Sequence, residues 1–279
     1  MRIFVLTTLA MIAFAANSVL NRAVLADGLI DPLGFAAIRI AAGAAVLALA
    51  LYLKERRLAL RPHQILAPIG LGVYMIAFSL AYLALDAGLG ALLLFGTVQL
   101  AMFGASVLRG NRPLLAEVLG SAIAFGGLVY LLAPSLGGGP VWPAFAMILA
   151  GLGWAGFTLA GRTAPHPLPA SAASFLVLVP IAVLAWVLFG ELRVSVFGFA
   201  LAILSGAVTS GVGYLIWYAV LPHLAVPTAA LVQLTVPVIA ILGGVLLLAE
   251  ALTMQIAIAC ALVVAGVALG VEARRRAPD

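Results

Sequence analysis

Apolar runs recur along this chain at a length of about 20 residues, which is what a helix needs to cross roughly 30 Å of hydrocarbon. Residues 33–53 and 255–271 are two such runs. Ten can be marked off by their polar and turn-forming breaks, over 3–22, 33–53, 65–85, 88–108, 113–133, 141–161, 170–189, 195–220, 224–248 and 252–272. The breaks are helix-stopping in kind: Asp27 to Pro32, a charge run over 54–62, Arg109 to Pro113, a Gly-rich turn at 135–140, and three prolines between Arg162 and Pro169. A membrane β-barrel would instead show short segments of alternating polarity. The expected fold is therefore an all-α membrane protein of ten transmembrane helices. Composition agrees, since 66% of the 279 residues are hydrophobic and only 8% are charged. That leaves too little polar surface to coat a soluble body.

The net charge of +5 does not point to nucleic acid once its placement is read. With the N-terminus inside, the short inner connections hold Arg2, Lys54, Arg56, Arg57, Arg61, Arg109, Arg112, Arg162 and Arg274 to Arg276, against Arg193 alone outside. A bias of that size predicts both termini in the cytoplasm. The first run is long for a signal peptide and is broken by Asn17, Asn21 and Arg22, so it is expected to stay as the first helix. Cys260 stands alone, and the three histidines lie in short connections without a partner at metal-ligand spacing. No cofactor and no metal is expected. HExxH, Ser/His and Asp/Asp motifs are absent, which argues against an intramembrane enzyme.

The two halves of the chain resemble each other. A shift of 140 residues places Phe14 on Trp154, Ser18 on Thr158 and Arg22 on Arg162. A shift of 136 places Gly70 on Gly206, Phe78 on Tyr214 and Tyr82 on Tyr218. Tyr74, Phe78 and Tyr82 form one helical stripe, and Ser210, Tyr214 and Tyr218 form its match. Residues 1–136 and 137–279 then read as two repeats of five helices each. An odd number forces the second repeat to enter the membrane inverted, the arrangement of secondary carriers.

Near the chain's end a small-residue stretch, Pro227-Thr228-Ala229-Ala230-Leu231-Val232-Gln233-Leu234-Thr235-Val236-Pro237, leads to Leu246-Leu247-Leu248-Ala249-Glu250-Ala251-Leu252-Thr253 and closes on Ala265 to Gly270. In this the chain resembles the EamA type of the drug/metabolite transporter superfamily. The first half departs from the pattern, with Ala101 near the Pro237 position and Gly110-Asn111-Arg112-Pro113 in place of the Glu segment. The stretch from Leu94 to Leu100 is similar to exporters of aromatic and other amino acids. The resemblance implies an inner-membrane secondary transporter that exports small metabolites, chiefly amino acids, by alternating access. Export of drugs or other metabolites, and a non-transporting scaffold, remain as alternatives. Beyond a small-molecule substrate and lipid no partner is implied, and a monomer suffices.

Candidate site residues follow from the cost of polar groups in hydrocarbon, which must face other helices or a wet cavity. The expected substrate cavity lies between the repeats and takes Asn17, Ser18, Tyr74, Phe78, Tyr82, Gln99, Trp154, Thr158, Tyr214, Trp217, Tyr218 and Gln233. Arg39, two turns into the second run, either attracts a substrate carboxylate or is structural, snorkelling outward or pairing with Asp27 or Asp31. Glu117 reads as an interfacial carboxylate near Arg109 and Arg112 that also suits a helix N-terminus, and Glu250 as a cap or turn residue at the outer end of the ninth run. Pro180 and Pro237 are expected to kink their helices. No Asp or Glu falls near the middle of any run, which disfavours a proton-binding carboxylate there.

Overall fold

The computed structural model describes residues 1–54, 66–110, 113–136, 140–162, 167–220, 223–224 and 232–276, with backbone alone at 133–136, 161–162, 167 and 218. Outside them lie all but Lys54 of the expected charge run 54–62, His63, Arg112, residues 137–139 of the Gly-rich turn, His166 and the segment 225–231. Every rod is helical: α1 (Arg2–Leu25), α2 (Pro32–Leu53), α3 (Leu66–Ala81), α4 (Ala87–Leu108), α5 (Leu115–Leu136), α6 (Trp142–Arg162) and α7 (Pro167–Phe189). Next come α8 (Val196–Leu204), a π-helical segment (Ser205–Val212) and α9 (Gly213–Val220), which run on as one rod, then α10 (Thr235–Leu248) and α11 (Met254–Arg276). No strand forms among the described residues; an isolated antiparallel bridge joins Ile30 to Val194. Among the described residues, eight rods are long and apolar enough to cross a membrane, while α3 and α10 are shorter.

Local chemistry explains the boundaries. Asp31 caps α2, its Oδ1 accepting the Gly34 N–H at 2.9 Å, and Pro32 takes the first helical position, where a missing N–H costs nothing. The same carboxylate accepts the Trp186 indole N–H at 2.7 Å, tying α2 to the end of α7. Ser195 caps α8 through the Gly198 N–H. Pro180 lies inside α7, as expected. Pro237 stands in the first turn of α10, which begins at Thr235 directly after a break at Leu234; residues 232 and 233 before that break are helical.

Glycine sets how the rods approach. α3 packs on α6. A Cβ built on Gly70 would sit 2.7 Å from the Gly153 carbonyl oxygen, and one on Gly153 would sit 2.7 Å from that of Gly70. α5 packs on α11 through Gly120 and Gly266 in the same way. α2 packs on α7 and on the π segment, α4 on α6 and α10, and α1 on α10 and on the α8–α9 rod. The apolar surface left outside, including Leu184, Val187, Leu188 and Phe189 of α7, is exposed. That is the outside of a body solvated by lipid.

Two carboxylates take partners at a distance in the chain. Glu117 pairs with Arg274 of α11 at 2.7 Å and accepts the Leu114 N–H. Glu250 does not cap its own helix; both its oxygens accept the Ala87 N–H, at 2.8 and 3.0 Å, so it caps α4.

Candidate functional site

Asn17 of α1 is buried, and its side-chain oxygen accepts hydroxyl protons from Ser205, at 2.8 Å, and from Thr209 and Ser210. All three donors belong to the π segment. There each backbone N–H bonds five residues back rather than four, a geometry often found at functional sites. Thr209 also returns its hydroxyl to the Ser205 carbonyl, as hydroxyls inside membrane helices often do. One turn further along α1, Asn21 bonds the Asn17 carbonyl and receives the Ser79 hydroxyl of α3. A polar thread thus joins α1, α3 and the rod through otherwise apolar surroundings.

Beside it lies a cluster of rings. Trp154 stands at its centre, with ring centroids 5.0 Å from Tyr74, 5.3 Å from Tyr214, 5.5 Å from Phe157 and 6.3 Å from Phe14. Phe14 meets Trp217 at 6.0 Å, and Phe78 meets Tyr74 at 5.2 Å and Tyr82 at 4.7 Å. A cavity opens between the rings and the thread, lined by Phe14, Asn17, Ser18, Tyr74, Phe78, Leu94, Phe95, Trp154 and Tyr214. Its free space is about 10 Å³, the scale of a single water.

Six of the expected residues therefore meet at one cavity: Asn17, Ser18, Tyr74, Phe78, Trp154 and Tyr214. Tyr82 lies beyond them, its hydroxyl donating to the Ala87 carbonyl at 3.2 Å. Trp217 backs Phe14, and Thr158 bonds the Trp154 carbonyl within α6. Gln99 and Gln233 are half-buried and are not among the lining residues. Of Tyr218 only the backbone, within α9, is described. Sequence reasoning passed over Ser205 and Thr209, which read as small residues in an apolar run. It also passed over Phe14, Leu94 and Phe95 as lining residues.

Arg39 is fully buried. It does not pair with Asp31, whose oxygens are occupied by Gly34 and Trp186. Its Nε donates to Ser210 Oγ at 3.0 Å and its Nη2 to the Tyr74 hydroxyl at 2.9 Å. The Phe78 and Tyr74 rings lie 5.1 and 5.3 Å from its carbon Cζ, within cation–π range.

Above the cavity, at the end of the bundle where α1 finishes, charges link three elements. Arg22 contacts Asp86 at 3.3 Å and Glu250 at 3.5 Å, and reaches the Leu83 carbonyl. Burial pushes the Glu250 carboxyl above the usual carboxylate range, against the Ala87 N–H, which pulls it back.

Comparison with known proteins adds three findings. Residues 141–271 match the model of the EamA-like transporter family. An uncharacterized protein of Pseudomonas aeruginosa is 45% identical over 269 residues, which span 96% of this chain and 94% of that relative. A solved crystal structure matches with a TM-score of 0.71 at 23% identity, covering 95% of this chain and 97% of the other. A likeness at that identity is one of fold.

Proposed function

From the match of residues 141–271 to the EamA-like transporter family, we propose that the chain is an inner-membrane secondary carrier that exports small metabolites, amino acids first among them, by alternating access. The family is one of membrane transporters rather than enzymes. The observation that carries the proposal is the cavity: a ring-lined space with a polar thread on one side, built by α1, α3, α4, α6 and α9. Apolar walls with a few polar anchors suit a small molecule. Its free space of about 10 Å³ is far below the hundreds of Å³ that such ligands fill. The walls must part to admit one, which is the motion that alternating access requires.

We read 1–136 and 137–279 as an inverted pair of repeats, the arrangement of secondary carriers, and the helix contacts are consistent with a twofold exchange. If helices of one repeat exchange with those of the other, the α3–α6 contact maps onto α1 against the α8–α9 rod. The α4–α6 contact maps onto α1–α10, and the α2–α7, α5–α11 and α4–α10 contacts map onto themselves. All of these occur. The basic bias of the inner connections supports a cytoplasmic position for both termini. A phosphatase fused after Asp279 should therefore be inactive in intact cells, and an active one would refute that orientation.

Transport itself is tested by efflux of labelled amino acids from proteoliposomes. Trp154→Ala removes four ring contacts at once and would lose stability and flux together. Trp154→Phe keeps an aromatic in the cluster. It should raise the apparent KM about tenfold, the scale of one lost ring contact of roughly 1 kcal/mol or slightly more, while the melting midpoint moves little. A parallel fall of flux and melting midpoint would make Trp154 a packing residue. Absence of efflux for every amino acid would sink the amino-acid assignment.

A further inference from the structure

Among the described residues, no counter-charge neutralises the buried guanidinium of Arg39. The elements packed on α2 are α3, α7 and the rod from α8 through the π segment. None of them contains an Asp, Glu, Lys, Arg or His. The described ion pairs of the chain all form elsewhere. Two of the three guanidinium nitrogens are held by neutral hydroxyls, while Nη1 is buried and has no hydrogen-bond partner. A guanidinium keeps its charge under all physiological conditions, and burying one without a counter-charge is expensive. A chain that keeps such a group can receive the missing anion from outside.

From the carrier reading above, and resting on it, we infer that the substrate bears a carboxylate that docks at Arg39 Nη1. The neighbours define the chemistry. Tyr74 accepts from Arg39 Nη2 through its phenol oxygen, which leaves its own proton free to donate. Asn17 has its oxygen taken by three hydroxyls, so it offers the cavity only its NH₂. Asn17 and Tyr74 both line the cavity, and Phe78, which covers the guanidinium, lines it too. At this pole the cavity meets the O–H of Tyr74 and the N–H of Asn17, while Arg39, which is not itself a lining residue, stands directly behind Tyr74 and Phe78 with its Nη1 unpartnered. A carboxylate is the acceptor-only group that suits it. The rest of the lining is aromatic and aliphatic apart from the neutral Ser18 hydroxyl and holds no acid, so an ammonium group on the ligand meets no opposite charge. The fitting ligand is an apolar or aromatic carboxylate, with its amino group dispensable. The position of Arg39 fits a carrier as well. Its partners Tyr74 and Ser210 lie 136 residues apart, at the repeat offset, so the charge sits on the seam between the halves.

Thermal melting of the purified full-length protein in detergent separates the possibilities, using phenylalanine, 3-phenylpropionate and phenethylamine as matched probes. Phenylalanine and 3-phenylpropionate should raise the melting midpoint of the wild type, and phenethylamine should not, since only a ligand bound to the folded state stabilises it. In Arg39→Gln the shifts caused by the two acids should vanish. The ligand-free midpoint of that variant should equal or exceed wild type, because an uncompensated charge has gone. Arg39→Lys keeps the charge but not the planar fork, and should weaken the acids' apparent affinity by about tenfold. An equal shift with phenethylamine, an acid shift that survives in Arg39→Gln, or no shift with either acid would overturn the inference. Efflux of labelled phenethylamine from wild-type proteoliposomes, with neither acid moved, would leave the carrier reading standing while the carboxylate reading fell.

Discussion

Gly206→Ala is expected to lower the melting midpoint by many degrees and to abolish transport, although it adds a single methyl group. A Cβ at this position would lie 2.3 Å from the Arg39 carbonyl oxygen and 2.8 Å from Ala42 Cβ. Neither obstacle is a flexible side-chain end. The only relief is to push α2 away from the π segment, and that separates the surfaces that hold Arg39 and Ser210 in contact. Overpacking of this kind costs about 1–3 kcal/mol and sometimes more, and here the obstacle is backbone, so the upper end is expected. Gly126→Ala is the control. Nothing lies within 4 Å of its added carbon, and alanine is the better helix former by about 1 kcal/mol in water-soluble hosts. It should melt at or above wild type. If both variants melt alike, contact between α2 and the rod does not depend on Gly206.

The second large effect is expected at Asn17. Asn17→Leu roughly preserves volume while removing the acceptor for Ser205, Thr209 and Ser210. A buried donor left without a partner costs about 1–3 kcal/mol. Thr209 keeps its bond to the Ser205 carbonyl and Ser210 still receives Arg39 Nε, so Ser205 carries most of the loss. We expect about 2 kcal/mol of destabilisation and no measurable efflux. The pairing is open to a double-mutant cycle. Ser205→Ala in the Asn17→Leu background should recover much of the lost stability, because replacing both partners by apolar groups is nearly neutral. Additive losses in the double variant would show that the two side chains do not act as a pair.

Hydropathy alone located the rods, because each crossing must satisfy its backbone internally and so writes a long apolar run into the sequence. The ends were less legible where they depend on distant groups. Glu250 looked like a cap or turn residue after the helix before it, and it does stand in that connection, yet the helix it caps is α4, 163 residues earlier in the chain. Nothing local announces that partner. The same holds for Arg39. Its depth in α2 marked it as unusual, but its partner Ser210 is 171 residues away. Aromatic stripes at helical spacing were readable, and Tyr74, Phe78, Trp154 and Tyr214 do share one cavity. Glutamines were a poorer guide. An amide in an apolar run must find partners, but the sequence does not say whether these line a cavity, and Gln99 stands about a turn beyond the lining residues Leu94 and Phe95. Ser205 and Thr209 escaped notice because small hydroxyl residues serve equally well for close packing.

The π segment gives the rod a torsion joint. A π turn holds more residues than an α turn, so the rod is underwound between Ser205 and Val212. Restoring α-type bonding there would rewind it, and an α-helix advances about 100° per residue. Everything beyond Val212, including Tyr214 and Trp217, would then swivel about the rod axis while Val196–Leu204 stayed fixed against α2. Which ring faces Trp154 is thus set by a hydrogen-bond register. The wall of the cavity can be re-aimed by a twist in the backbone, without sliding one rod past another.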